Sequence, residues 1–148
     1  MRNFAFKKGR AFAAVEQGGL LVSDDFGLNW RLSTGSTGTT ETPQPEGYIH
    51  PDVHSIETHP ADDQLLLAAC GGGLYRSDSG GQSWKCLYDC YCRAIWLDPD
   101  DPKRLILSPA DGVNRDGRIE ISVDGGLHWQ DASHGLDTPW PEALVNQF

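Results

Sequence analysis

Ser122-Val123-Asp124-Gly125-Gly126-Leu127-His128-Trp129 carries a skeleton that this chain writes three times. The other copies are Ser23-Asp24-Asp25-Phe26-Gly27-Leu28-Asn29-Trp30 and Ser77-Asp78-Ser79-Gly80-Gly81-Gln82-Ser83-Trp84. All follow Ser-x-Asp-x-Gly-x-x-Trp, except that Ser79 stands where the pattern has Asp. The tryptophans are 54 and then 45 residues apart. Periods near this size mark repeat architectures, and four short strands per ~40–45 residues is the period of a propeller blade.

Each octapeptide reads as a hairpin tip. Ser and Asp side chains accept hydrogen bonds from nearby backbone amides, Gly supplies positive φ, and the Trp opens the next strand with its ring over the turn. Asp25 and Asp124 are then local acceptors, with Ser79 a weaker one. The octapeptides resemble the Asp-box, or BNR, repeat of sialidases, several other glycosidases, the sortilin ectodomain and a photosystem assembly factor, among WD40/YVTN/BNR-like repeat proteins. The resemblance implies an all-β chain of about three four-stranded antiparallel propeller blades. It also implies that Ser23, Asp25, Gly27, Trp30, Ser77, Ser79, Gly81, Trp84, Ser122, Asp124, Gly126 and Trp129 stabilise turns remote from any active site. No catalytic residue follows from the repeat, because a fold does not fix a function.

The strands expected around the boxes fill most of the 148 residues as a single segment. Blade one covers about 1–33, a loop 34–51, blade two about 52–89, and blade three about 92–133, with an extra inner strand at about 142–148. The loop, rich in Gly, Thr and Pro from Thr34 to Pro45, accounts for the longer first interval. Blade two is the plainest: Leu65, Leu66, Leu67 and Ala68 are too apolar throughout for either face of that strand to meet water. Blade three repeats its grammar, with Asp98-Pro99-Asp100-Asp101-Pro102 as the counterpart of His59-Pro60-Ala61-Asp62-Asp63.

Propellers of the resembled family have six or more blades in one chain, so about three leave sheet faces uncovered. Two arrangements satisfy this: the remainder of a longer propeller, or a head-to-tail homodimer closing a six-bladed ring. In the second, Glu142–Phe148 would pair onto blade one of the partner.

A formal net charge of −9 argues against nucleic acid or an anionic membrane as the principal partner. The start of the chain has no apolar leader and no stretch reaches the ~18 apolar residues of a span, so the expected setting is cytoplasmic. Four cysteines, Cys70, Cys86, Cys90 and Cys92, are then expected as free thiols. A disulfide among the last three stays open, while the spacing lacks the Cys-x2-Cys of a zinc knuckle.

Chemistry belongs on the rim opposite the boxes, where the interblade loops gather. The candidates there are Tyr48, His50, Asp52, His54, Tyr91, Arg93, Asp111, Arg115, Asp116 and Trp140, with Cys90, Asn114, Arg118 and Glu142 beside them. Asp52, Asp111, Asp116 and Glu142 are the carboxylates a glycosidase would need, and Tyr48, Tyr91 and Trp140 the stacking surfaces for sugar. The arginine triad of sialidases is not recognisable. His50 and His54 on one strand lie about 13 Å apart, too far for one ion without a bend. Asp111–Gly117 lacks the spacing of an EF-hand, and no phosphate-binding Gly loop precedes a helix. No metal and no cofactor are expected. The reading is a non-enzymatic module binding a protein or carbohydrate ligand, with a glycosidase-like protein or sugar-binding remnant as the alternative.

Overall fold

The computed structural model describes residues 3–148, which form twelve strands in three four-stranded antiparallel sheets. Blade one is β1 (Asn3–Lys7), β2 (Arg10–Val15), β3 (Gly19–Ser23) and β4 (Arg31–Leu32). Blade two is β5 (Val53–His59), β6 (Asp62–Cys70), β7 (Gly73–Ser77) and β8 (Lys85–Tyr88). Blade three is β9 (Tyr91–Leu97), β10 (Leu105–Ala110), β11 (Glu120–Ser122) and β12 (Gln130–Asp131). Each sheet is a meander in chain order, and β1, β5 and β9 lie side by side as the inner strands. No described helix is long and apolar enough to cross a membrane.

Two apolar layers join the sheets, and β6 belongs to both. Leu66, Ala68 and Cys70 face Phe12, Ala14, Leu20 and Val22 of blade one. Leu65, Leu67 and Ala69 face Ile95, Leu97, Leu105 and Leu107 of blade three. Because side chains alternate across a strand, a run buried on both faces must be apolar at every position, as Leu65–Cys70 is.

The three octapeptides close similar turns between the third and fourth strands. The hydroxyls of Ser23, Ser77 and Ser122 each accept the amide of the first fixed glycine, Gly27, Gly81 or Gly126, at 2.9 Å. Asp25 Oδ1 accepts the Asn29 amide at 2.8 Å, and Asp124 Oδ1 accepts those of Leu127 and His128 at 3.0 Å. Ser79 Oγ does the same for Ser83 at 2.9 Å, so the substituted copy keeps its acceptor. Hydrogen bonds from Asn29 hold the Asp25 carboxyl down to about 2, and those from His128 hold Asp124 lower still. The residue before each fixed glycine donates its amide to the first hairpin of its own blade: Phe26 to Gly9, Gly80 to Gln64, Gly125 to Lys103.

Two of the box tryptophans are wedges between blades. Trp129 stacks on Tyr88 of blade two with centroids 5.7 Å apart, and Trp84 is buried in the layer shared with blade one. Trp30 packs on Phe4 of its own sheet, with ring centroids 6.1 Å apart, and Phe4 and Phe6 remain exposed beside it. The basic run Lys7-Lys8 is engaged with Asp63 at 3.0 and 2.9 Å.

Two expectations need correction. Residues 142–148 form no strand. The segment instead crosses blade three, where its carbonyls are taken up by that blade: Gly117 N donates to Ala143 O and Ser108 Oγ to Val145 O. Nor is the inner strand of blade one incomplete, because β1 pairs with β2 over five residues.

Gly126→Ala tests the turn chemistry. Gly126 has φ 92° and an added Cβ would meet Leu87 Cδ1 at 2.9 Å, whereas Gly135 has φ 86° with nothing near its Cβ position. Urea unfolding is expected to give a loss of about 1–3 kcal/mol for Gly126→Ala, and about 1 kcal/mol for Gly135→Ala.

Candidate functional site

Of the rim candidates, the structure brings Asp52, His54, Tyr91 and Arg93 together near the inner strands. Two bulges set this geometry. Val53 pairs with Cys70 and Ser55 with Ala69, which leaves His54 with no residue opposite it. On β9, Ile95 pairs with Leu107 and Cys92 with Pro109, so Arg93 and Ala94 face the single Ser108. A bulge re-aims side chains that strict alternation would send elsewhere.

His54 is buried, with its side chain 2 % exposed. Its Nδ1 lies 2.6 Å from the carbonyl oxygen of Cys92, and Nε2 is 3.1 Å from Asp52 Oδ2. The Tyr91 ring packs on the imidazole at 5.3 Å, and the Arg93 guanidinium sits 5.6 Å over the Tyr91 ring. Burial pushes the Tyr91 phenol above its ordinary range, against the pull of Arg93. Glu16, at the β2–β3 turn, completes the group: one oxygen each of Glu16 and Asp52 and a ring nitrogen of His54 all lie within 4.8 Å of one another. No motif in the sequence marks Glu16. That turn is the same β2–β3 connection whose counterparts in the other blades reach this rim, which was the signal available.

Below this cluster runs a groove of about 310 Å³ between the inner strands, lined by Asn3, Ser55, Glu57, Arg93, Ile95 and the terminal Phe148. Burial lifts the Glu57 carboxyl from 4.5 to about 7. No signal in the sequence marked Glu57, because its environment is made by three strands and the tail.

The remaining candidates form two separate places. Tyr48 and His50 line an open cleft of about 1180 Å³ with Tyr75, Trp84, Cys86 and Tyr88, beneath the Thr42–Glu46 segment. Burial lowers the His50 imidazole. Asp111, Arg115 and Asp116 lie on the β10–β11 connection, where Asn114 and Asp116 take φ of 50° and 54° and Arg115 donates back to the Asp111 carbonyl. Arg118 gathers Glu120 at 2.7 Å and Asp111 at 3.1 Å, with Tyr88 Oη at 3.5 Å. Trp140 bridges to Gly117. All four cysteines are free; Cys70 and Cys92 are buried, and burial raises both thiols well above their ordinary value.

These sheets and their packing define a propeller-type fold. An ancestral GH74 enzyme superposes with a TM-score of 0.69 at 15% identity, covering 90% of this chain and 18% of its own. YCF48 bound to D1 peptide gives 0.63 at 16% identity, over 93% of this chain and 42% of its own. The computationally designed Ika4 protein gives 0.56 at 13%, over 95% and 74%. This chain therefore spans less than half of the first two proteins. No protein-family model and no curated protein matches the sequence.

The Glu57 shift has a testable sign. Its folded value lies above its unfolded one, so between about pH 4.5 and 7 the native state holds a proton that the unfolded chain has released. Stability is fully present below that window and falls as pH rises through it. Glu57→Gln is expected to flatten this slope in urea titrations, matching the parent at the acid end and exceeding its stability at the alkaline end.

Proposed function

We propose that the chain is an Asp-box propeller segment that binds a polar, extended ligand, a peptide or protein loop, through the rim opposite its boxes. The observation that carries this is the convergence of Asp52, His54, Tyr91 and Arg93 above a groove whose only carboxyl side chain is Glu57. Charged, aromatic and hydrogen-bonding groups at one mouth suit recognition. A glycosidase groove needs two carboxyl groups flanking an open slot; Glu16 and Asp52 instead converge on His54. A tyrosine nucleophile needs an activated phenol, and burial pushes that of Tyr91 the other way. YCF48, a neighbour in fold, was solved with a peptide bound, which supports this class of ligand.

The open faces support a larger ring. Phe4, Phe6 and Trp30 lie on the outer face of blade one, and Trp96, Ile106 and Ile121 are half-buried on that of blade three. Apolar on both sides, these faces suit head-to-tail packing against another copy or further blades, with blade faces rather than strand exchange as the contact.

A carbohydrate-active reading has one observation in its favour: Glu57 stays protonated to about pH 7 in a cleft, as a general acid must. GH74 enzymes share the fold.

Three measurements decide among these. Light scattering is expected to give a species near twice 16.2 kDa that Phe6→Asp returns to one copy; a monomeric parent overturns the homodimer. A peptide array is expected to give ligands whose binding Arg93→Ala weakens. Hydrolysis of aryl glycosides, lost in Glu57→Gln, would replace the binding module with the enzyme.

A further inference from the structure

We propose that Glu16, Asp52 and His54 form a binding site for a single divalent transition-metal ion, with zinc the best match. The argument begins at His54. A backbone carbonyl only accepts hydrogen bonds, so the 2.6 Å contact with Cys92 O places the ring proton on Nδ1. The neutral ring then directs the Nε2 lone pair at Asp52 Oδ2, 3.1 Å away, and Nε2 has no hydrogen-bond partner. Two lone-pair holders at that distance need a cation beside them.

A proton on Nε2 would serve that one pair, but it leaves more unexplained. Asp52 Oδ1 is also buried without a hydrogen-bond partner. Glu16 brings a second carboxylate, so that the three donor atoms lie within 4.8 Å of one another. Two ligands on one ion, each about 2.1 Å from it, are at most about 4.2 Å apart. The limit of 4.8 Å on the three atoms exceeds that span by about 0.6 Å, a difference within the reach of side-chain rotation. The ion's two positive charges balance the two carboxylates, where a proton balances one. The Nδ1–H to carbonyl bond is the outer-shell contact that orients a ligating histidine.

The donor set selects the ion. Calcium and magnesium take oxygen ligands, whereas one imidazole with carboxylates suits zinc and its first-row neighbours. Three protein ligands leave a coordination position open, and with Glu16 exposed and Asp52 half-buried it faces the rim. The bulge at His54 brings Nε2 to Asp52, so the spacing argument made for His50 and His54 on a regular strand does not apply to this trio. The inference is independent of which partner the rim takes.

Cobalt is the probe, because its spectrum reports the donor atoms. The full chain, stripped with EDTA and dialysed, is titrated with Co²⁺ and then Zn²⁺ by calorimetry and absorption. The expected result is one Co²⁺ per chain with visible ligand-field bands, no thiolate charge-transfer band in the near ultraviolet, displacement by Zn²⁺, and none by equimolar Ca²⁺. Glu16→Gln and Asp52→Asn should each weaken binding by at least about tenfold. Glu16→Gln should leave the circular dichroism spectrum and urea midpoint of the metal-free chain unchanged. Absence of binding, a thiolate band pointing to Cys86 or Cys90, displacement by Ca²⁺, or affinity unchanged in both variants would overturn the site.

Discussion

Everything in this molecule hangs on β6 being buried from both sides. Leu65, Leu67 and Ala69 belong to one apolar layer and Leu66, Ala68 and Cys70 to the other, so a single strand fixes blade one and blade three relative to each other. The largest of these side chains are 2 % exposed or less. Deleting a leucine here would leave a cavity of the kind that costs about 2–5 kcal/mol, and would loosen an interblade layer as well as a sheet. The rim site depends on that clamp. Glu16 comes from blade one, Asp52 and His54 from blade two, and Tyr91 and Arg93 from blade three. Their convergence is a consequence of how β6 spaces its neighbours.

What the sequence made legible was whatever local chemistry decides. The box turns are local: a hydroxyl, a second side-chain oxygen and a glycine within eight residues take up the same backbone amides in each copy. The apolar run of β6 is equally local, and it announced burial on both faces. The rim was legible as a set of loops, and four of its ten named residues, Asp52, His54, Tyr91 and Arg93, lie in contact at the ends of the inner strands. What stayed hidden depends on departures from regular structure or on several segments at once. The bulges at His54 and Arg93 leave no mark in composition, yet they decide where those side chains point. Glu57 owes its raised pKa to a groove that the inner strands and the distal tail build together. The segment 142–148 departs from its expected strand for a related reason: Gly117 and Ser108, distant in sequence, hold its backbone across blade three.

The carboxylates divide into two kinds by their surroundings. Asp25 and Asp124 sit at exposed turns where amide hydrogen bonds stabilise the charge, and their pKa values fall. Glu57 is half-buried with burial its one resolved influence, and its pKa rises. Hydrogen bonding to the charged form and desolvation of it act in opposite directions. The box turns thus hold their acids in the charged form, while the groove between the inner strands disfavours that form at Glu57.

Trp84 illustrates how the repeat yields where blades meet. In the outer boxes the indole donates to the glycine carbonyl of its own turn, Trp30 to Gly27 at 2.9 Å and Trp129 to Gly126 at 3.2 Å. In the middle box that carbonyl, on Gly81, accepts the Ser33 hydroxyl at 2.6 Å and the Gly35 amide at 3.2 Å instead. Trp84 Nε1 is left buried without a partner, a penalty of about 1–3 kcal/mol. The chain leaving blade one has taken the acceptor, and Gly35 runs so close to the ring that a Cβ there would lie 2.6 Å from it. The turn gives up one hydrogen bond and the interface gains two, along with the burial of a whole indole in the layer between blades one and two. A repeat that looks uniform in sequence is therefore uneven in energy: its middle copy gives up an indole hydrogen bond to the joint between blades, while its outer copies keep theirs.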